Sequence, residues 1–304
     1  MNKKYYFMAG LPRAGSTLLS SILNQNPRFY SGPSSPVLGG MYSAHQNFID
    51  NELYHGYPKP DSVNKIIGSI IENWYSDIDK PVVIDKNRAW CARVPFIEGY
   101  IKQEAKIIVP VRRLDEILAS ILTMIKRNPF KDGQPRINFV DEYLIKANIP
   151  INDENRCNHL LNPDGILWES LNATKLGVDG GHGDKFHYVD YNDLVTDPQT
   201  ELNKIYTFLG EELFEHSFDN LSNQHREDDI ASYGLGDMHE VHSKLEKVST
   251  DPSKILPASI IELYNHNKSN LEFWHHNGVV DTQPKISTSP VPIDSKSKTY
   301  NLFS

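Results

Sequence analysis

Eight residues near the start of the chain have the types and spacing that hold an anion: Gly10, Leu11, Pro12, Arg13, Ala14, Gly15, Ser16 and Thr17. Glycines at both ends let the backbone turn its N–H groups inward, and a helix starting at Ser16 would add its dipole. Set against the triphosphate loop GxxxxGK[ST], Gly10, Gly15 and Thr17 fall into place, but Ser16 stands where the lysine neutralises the β- and γ-phosphates. That change suits a ligand with one phosphate at this point rather than three. Arg13 brings a planar guanidinium fork suited to oxyanions from another direction. Alone, the stretch is equally compatible with an ordinary turn between a strand and a helix. Two further cations shift the balance. Lys86 ends the run VVIDK, and Arg112 follows the run KIIVPV. Three cations at strand ends, beside a phosphate-type loop, read as a local anion site.

The elements that must position these residues follow from periodicity. Tyr5 to Ala9 is short and apolar, a buried strand, and Leu18, Leu19, Ile22 and Leu23 have helical spacing. Arg28 to Ser31 reads as a second short strand, leading into GPSSPVLGG, a loop expected to pass near the site. An amphipathic helix is expected over 61–76, a β-branched strand over VVIDK, and a helix over 92–103. The strand KIIVPVRR comes next, with Asp115 opening the helix that follows. Residues 137–176 read as mostly helical, broken at Pro150 and Pro163. FHYVDY at 186–191 is the last clear strand, and Pro198 starts a helix through Phe208. Alternation of strands with helices predicts an α/β, three-layer P-loop-type fold, its central sheet mainly parallel, with ligands beyond the carboxyl ends of the strands. Residues 1–279 are expected to form one α/β domain. Residues 280–304, rich in Ser, Thr, Pro and Lys, are expected to form a flexible or surface-wrapping tail.

Composition narrows the function. A net charge of −8 argues against a nucleic-acid partner, so any positive site must be local. Hydrophobic residues at 39% suffice for a packed core. Cys91 and Cys157 form no disulfide framework, and no Cys/His cluster suggests a metal. Two lysines precede the first strand without a long apolar region, and no run approaches membrane-spanning length. The expected setting is therefore a reducing cytoplasm, with no membrane partner.

The motifs carry a family resemblance. GLPRAGSTLL resembles the 5′-phosphosulfate loop of the sulfotransferases, and VRRLDEILAS resembles their 3′-phosphate strand–helix motif. Within the superfamily the chain is most similar to the tyrosylprotein sulfotransferases, in order from residue 5 to about 257. The resemblance implies 3′-phosphoadenosine 5′-phosphosulfate (PAPS) as cofactor and the 3′,5′-diphosphate (PAP) as product, without a metal. It places Arg13, Ala14, Gly15, Ser16 and Thr17 at the 5′ end, and Arg112 with Ser120 at the 3′-phosphate. VVIDKN resembles the segment with the family's catalytic lysine, which makes Lys86 the match. Tyr191 matches a cofactor-contacting tyrosine, with a core tyrosine as the equal alternative. The run HSKLEKVSTDPSKILP resembles the C-terminal loop, with Ser243 beside the transferring group and Lys254 near the 3′-phosphate. One departure stands out. The tyrosylprotein enzymes carry a general-base glutamate in the loop after the first helix, where SGPSSPV offers only Pro33, Ser34 and Ser35. Of the downstream groups His45, Asp50 and Glu52, His45 is the expected base, because a neutral imidazole accepts a proton near pH 7. A packing histidine is the competing reading.

Sulfuryl transfer, like phosphoryl transfer, is expected to be in-line and loose, so positioning and charge stabilisation supply most of the catalysis. Lys86, Arg13 and the loop N–H groups would stabilise charge growing on the leaving 5′-phosphate. The expected partner is a hydroxyl-bearing acceptor: a peptide tyrosine, a glycan, a lipid or a small molecule. Residues 33–57 and 128–180 are expected to form its wall. A homodimer is left open. Two rivals remain at this stage: a metal-dependent kinase with a degenerate loop, and a catalytically inactive nucleotide-binding module.

Overall fold

A computed structural model describes residues 3–225, 227–246 and 251–276. Its centre is a five-stranded sheet of order β2-β3-β1-β4-β5, parallel throughout. The strands are β1 (Lys4–Met8), β2 (Phe29–Ser34), β3 (Val82–Lys86), β4 (Ile107–Val111) and β5 (Phe186–Asp190). Their residues alternate between two cores, as a doubly covered sheet requires. Tyr5, Phe7, Val83, Ile107 and Val109 face one side. Tyr6, Met8, Val82, Ile84 and Ile108 face the other.

On the second side lies α1 (Ser16–Leu23), through Leu19, Ile22 and Leu23. The first side receives α2 (Val37–Ile49) and α4 (Pro60–Trp74), with the single turn α3 (Glu52–Gly56) between them. After β3 the chain runs through a 3-10 turn at Arg88–Arg93, a short α5 (Val94–Phe96) and a π turn at Ile97–Ile101. The expected regular helix over 92–103 is thus broken, because Asn87 caps an earlier start at Ala89 and Pro95 lacks an N–H. Helices α6 (Leu114–Arg127), α7 (Phe139–Lys146), α8 (Asp153–Leu161) and α9 (Ile166–Asp179) then cover the first side. Next come α10 (Tyr191–Thr196) and α11 (Pro198–Leu209), both on the α1 side. The short α12 (Asp229–Tyr233) and α13 (Ala258–Leu271) complete the elements.

Register puts the chemistry on one edge. Met8 lies beside Lys86 and Phe7 beside Asp85 at the ends of β1 and β3. Val111 lies beside Asp190, so Arg112 and Tyr191 leave the sheet next to one another. The chain leaving β1 turns at Gly10, where φ is 92° and a Cβ would run into the carbonyl oxygen of Pro110. Only glycine suits that close approach. Among the described residues no helix is long and apolar enough to cross a membrane. The expected tail at 280–304 lies outside the described residues.

Candidate active site

The loop between β1 and α1 is a nest of alternating handedness. Gly10, Arg13 and Gly15 all have left-handed φ, at 92°, 58° and 87°. Such a backbone gathers N–H groups on one side, and α1 begins at Ser16 with no side chain capping its first turn. The uncapped end leaves N–H donors and the positive end of the helix dipole, an arrangement that favours an anion. Gly15 is required here too: a Cβ would come within 2.8 Å of the Tyr191 ring, which closes the loop from below. The Arg112 guanidinium covers the same ring at 4.2 Å.

A cavity of about 200 Å³ opens in front of this loop. Its wall includes Gly15, Ser16, Thr17, Arg112, Ser120 and Tyr191, so residues expected at the two phosphates share one space. Arg112 also pairs with Glu116 at 2.8 Å and reaches the Arg13 carbonyl at 3.4 Å. Arg13 lines the cavity as well, but its guanidinium is committed. Its Nε donates to Ser120 Oγ at 3.4 Å, and Nη1 donates to the Met238 carbonyl. Burial lowers its pKa. Arg13 therefore ties the loop to α6 and to the segment near residue 238, as well as adding positive charge.

Lys86 is 6% exposed and sits on the α1 face of β3, one residue along from Asp85 on the opposite face. It shares a small void with Thr17, Ser20 and Ser31, placing an ammonium beside the loop hydroxyls. Burial brings its pKa down to about 8, with Glu227 pulling the other way. Asp85 serves the other core: Tyr75 and Trp90 donate to it at 2.8 and 2.6 Å, and Ser35 donates as well.

Four expected residues are absent from either cavity wall: Ala14, whose methyl is buried in the core, and three that lie elsewhere. His45, on α2, bonds the Tyr100 hydroxyl and meets Phe96 edge-on at 5.1 Å, and burial lowers its pKa. Ser243 is exposed on a loop, where its carbonyl accepts from the Leu221 N–H; its neighbours His242 and Lys244 reach the cavity wall. Lys254 is exposed on a 3-10 turn, 3.9 Å from Asp251.

A scan against family descriptions matches the Sulfotransferase domain over residues 3–247. The chain belongs to the sulfotransferase domain family. Among solved structures it is similar to the "Sulfotransferase Domain from the Curacin Biosynthetic Pathway" at 14% identity and TM-score 0.54, over 88% of this chain and 98% of that one. It is also similar to "mouse sulfotransferase SULT7A1 complexed with PAP" at 14% identity and TM-score 0.50, over 88% and 84% of the two chains. These likenesses carry the fold. A search of curated proteins finds no match.

The candidate site contains residues that sequence reasoning passed over. Arg88, two positions after Lys86, lines the larger cavity, and burial lowers its pKa against the pull of Tyr233, Glu169 and Glu227. Its signal was present in the triplet Lys86-Asn87-Arg88. Glu227 lies just before α12, Asp229 opens it and His239 follows it, and no spacing rule announces that they meet. His239 Nδ1 bonds Asp229 Oδ1 at 2.6 Å and lies 2.8 Å from Glu227 Oε2. The His239 N–H donates to Asp229 Oδ2 at 2.8 Å, and the Ser34 N–H donates to Glu227 Oε1 at 2.9 Å. Their donor atoms lie within 4.8 Å of one another, close enough to surround a cation, although in the structure they bond each other. Burial pushes the Glu227 carboxyl up, but His239, the Ser34 N–H and Lys86 outweigh it and hold the group at about 2.

Proposed function

We propose that this sulfotransferase-family protein moves the sulfuryl group of PAPS to an acceptor hydroxyl by in-line transfer, releasing PAP. The observation that carries the reading is the pairing of the uncapped α1 nest, which lacks a loop lysine, with a buried lysine on the neighbouring strand tip. The nest suits a single 5′-phosphate. Lys86, beside Thr17, suits the bridging oxygen on which charge grows as the S–O bond breaks. Arg112 and Ser120, on the same cavity, suit the 3′-phosphate. A structural neighbour crystallised with PAP is consistent with that nucleotide. The partly buried Arg88 adds a cation toward the sulfonate or the acceptor.

Acceptors carrying a phenol, a sugar hydroxyl or a small alcohol fit this chemistry, with peptide tyrosine suggested by the resemblance. The deciding experiment offers labelled PAPS and labelled ATP separately to an acceptor panel in the presence of EDTA. Sulfated products from PAPS alone, with EDTA present, are expected. Phosphorylated products from ATP that form in a parallel arm with Mg²⁺ and vanish with EDTA would establish the kinase reading, and PAP binding without any product would establish a binding module.

A further inference from the structure

Among the described residues Glu227, Asp229 and His239 form the one group of three or more histidine, cysteine or acidic side chains with ligand atoms within 4.8 Å of one another, and two of them, Glu227 and His239, line the smaller cavity beside Thr17. His239 is a wall of both cavities: with Ser16 and Arg88 in the larger, and with Thr17 and Lys86 in the smaller. The Arg13 guanidinium holds the preceding residue, Met238, by its carbonyl, so the phosphate loop and the imidazole are mechanically tied. The carboxylate of Glu227 rests on the N–H of Ser34, within the very stretch after α1 that carries no acid of its own.

We infer that His239 is the general base of transfer, with Glu227 and Asp229 as its positioning residues. The assignment rests on the sulfuryl-transfer proposal. Two carboxylate oxygens claim Nδ1, which fixes the hydrogen there and leaves Nε2 as the basic nitrogen. The acceptor oxygen bonds to sulfur. The bond from sulfur to the 5′-phosphate oxygen breaks with its electron pair remaining on the phosphate. The hydroxyl proton passes to Nε2 and leaves to solvent after the product departs. His45 is engaged with Tyr100 and Phe96 and lines neither cavity, so it takes no part in this step. Groups facing His239 are Glu227, Asp229, the Tyr233 ring at 5.7 Å, and across the cavities Lys86, His225 and Arg88.

The test uses the full chain, with PAP binding by calorimetry and steady-state transfer from PAPS to a series of phenols of falling pKa. His239→Gln and His239→Asn are expected to bind PAP within about threefold of wild type while kcat falls about a hundredfold or more. The deficit shrinks for the most acidic phenols, which need no base, and the acidic limb of the pH–rate profile disappears. Asp229→Asn and Glu227→Gln displace that limb instead of abolishing it. Transfer within threefold of wild type to an unactivated acceptor in both His239 variants overturns the assignment. So does activity lost in EDTA and restored by Zn²⁺ or Mn²⁺, which would make the three residues metal ligands. His45→Ala is expected to keep full transfer. A wild-type chain that binds no PAP and transfers nothing instead sinks the sulfuryl-transfer proposal, a result distinct from failure of the variants alone.

Discussion

At the residue scale the site depends on which face of a strand a side chain occupies. Lys86 and Asp85 are neighbours in β3, yet one meets the phosphate loop and the other an apolar core. In the proposed transfer, Lys86→Ala removes the cation next to the leaving oxygen. Transfer is expected to drop about a hundredfold or more with PAP binding still measurable, read by calorimetry beside steady-state kinetics. Burial lowers the Lys86 pKa to about 8, so the ammonium is charged below that pH and lost above it. In the free enzyme kcat/KM should therefore decline as pH rises through about 8, and Lys86→Arg should move that limb to higher pH. Arg112 is stacked on Tyr191 and paired with Glu116, a geometry that presents a fixed fork. Arg112→Ala should erase the preference for PAP over AMP in calorimetry; an unchanged preference would remove its role at the 3′-phosphate.

At the element scale, the first strand, the loop and the helix after it were legible because a doubly buried strand and an amphipathic helix leave opposite periodicities. GPSSPVLGG was not. Its glycines, prolines and serines signal a loop, yet Gly32 to Ser34 extend β2 and Val37 to Gly40 open α2. The reason is position. β2 is the edge of the sheet, so Pro33 forfeits no ladder bond that a central strand needs, and Gly39 lies in open space. The junction is then fastened by Asp85, which takes hydrogen bonds from Ser35, Tyr75 and Trp90. Asp85→Ala leaves those buried donors without an acceptor and should cost about 3 kcal/mol in denaturant unfolding. A loss under about 0.5 kcal/mol would show that the bonds are replaced by water.

At the scale of the whole molecule, an acidic chain concentrates positive charge on one sheet edge. Arg13, Lys86, Arg88 and Arg112 come from three separate strand ends and still line adjoining cavities. Repulsion among them is relieved by an anion, so PAP should stabilise the native state. At a concentration a hundred times Kd the gain is about 2.7 kcal/mol, seen as a rise in Tm, and AMP should give less at the same concentration. Added salt should weaken binding by screening, although the protein's net charge opposes the ligand at every ionic strength.

Sequence by itself determined the layered α/β plan and the nest of Gly10 to Thr17 with its two cationic neighbours. Those features are local: a run of five apolar residues, or a glycine at a left-handed turn, means the same wherever the chain goes. The base was beyond such reading. His239 meets Glu227 and Asp229 because the chain on either side of the short α12 folds back on itself, and Arg13 ties that stretch to the nest through the Met238 carbonyl. Contacts between stretches with no periodicity leave no pattern in the order of residues, so tertiary packing alone decided that His239, one of twelve histidines, lines both cavities.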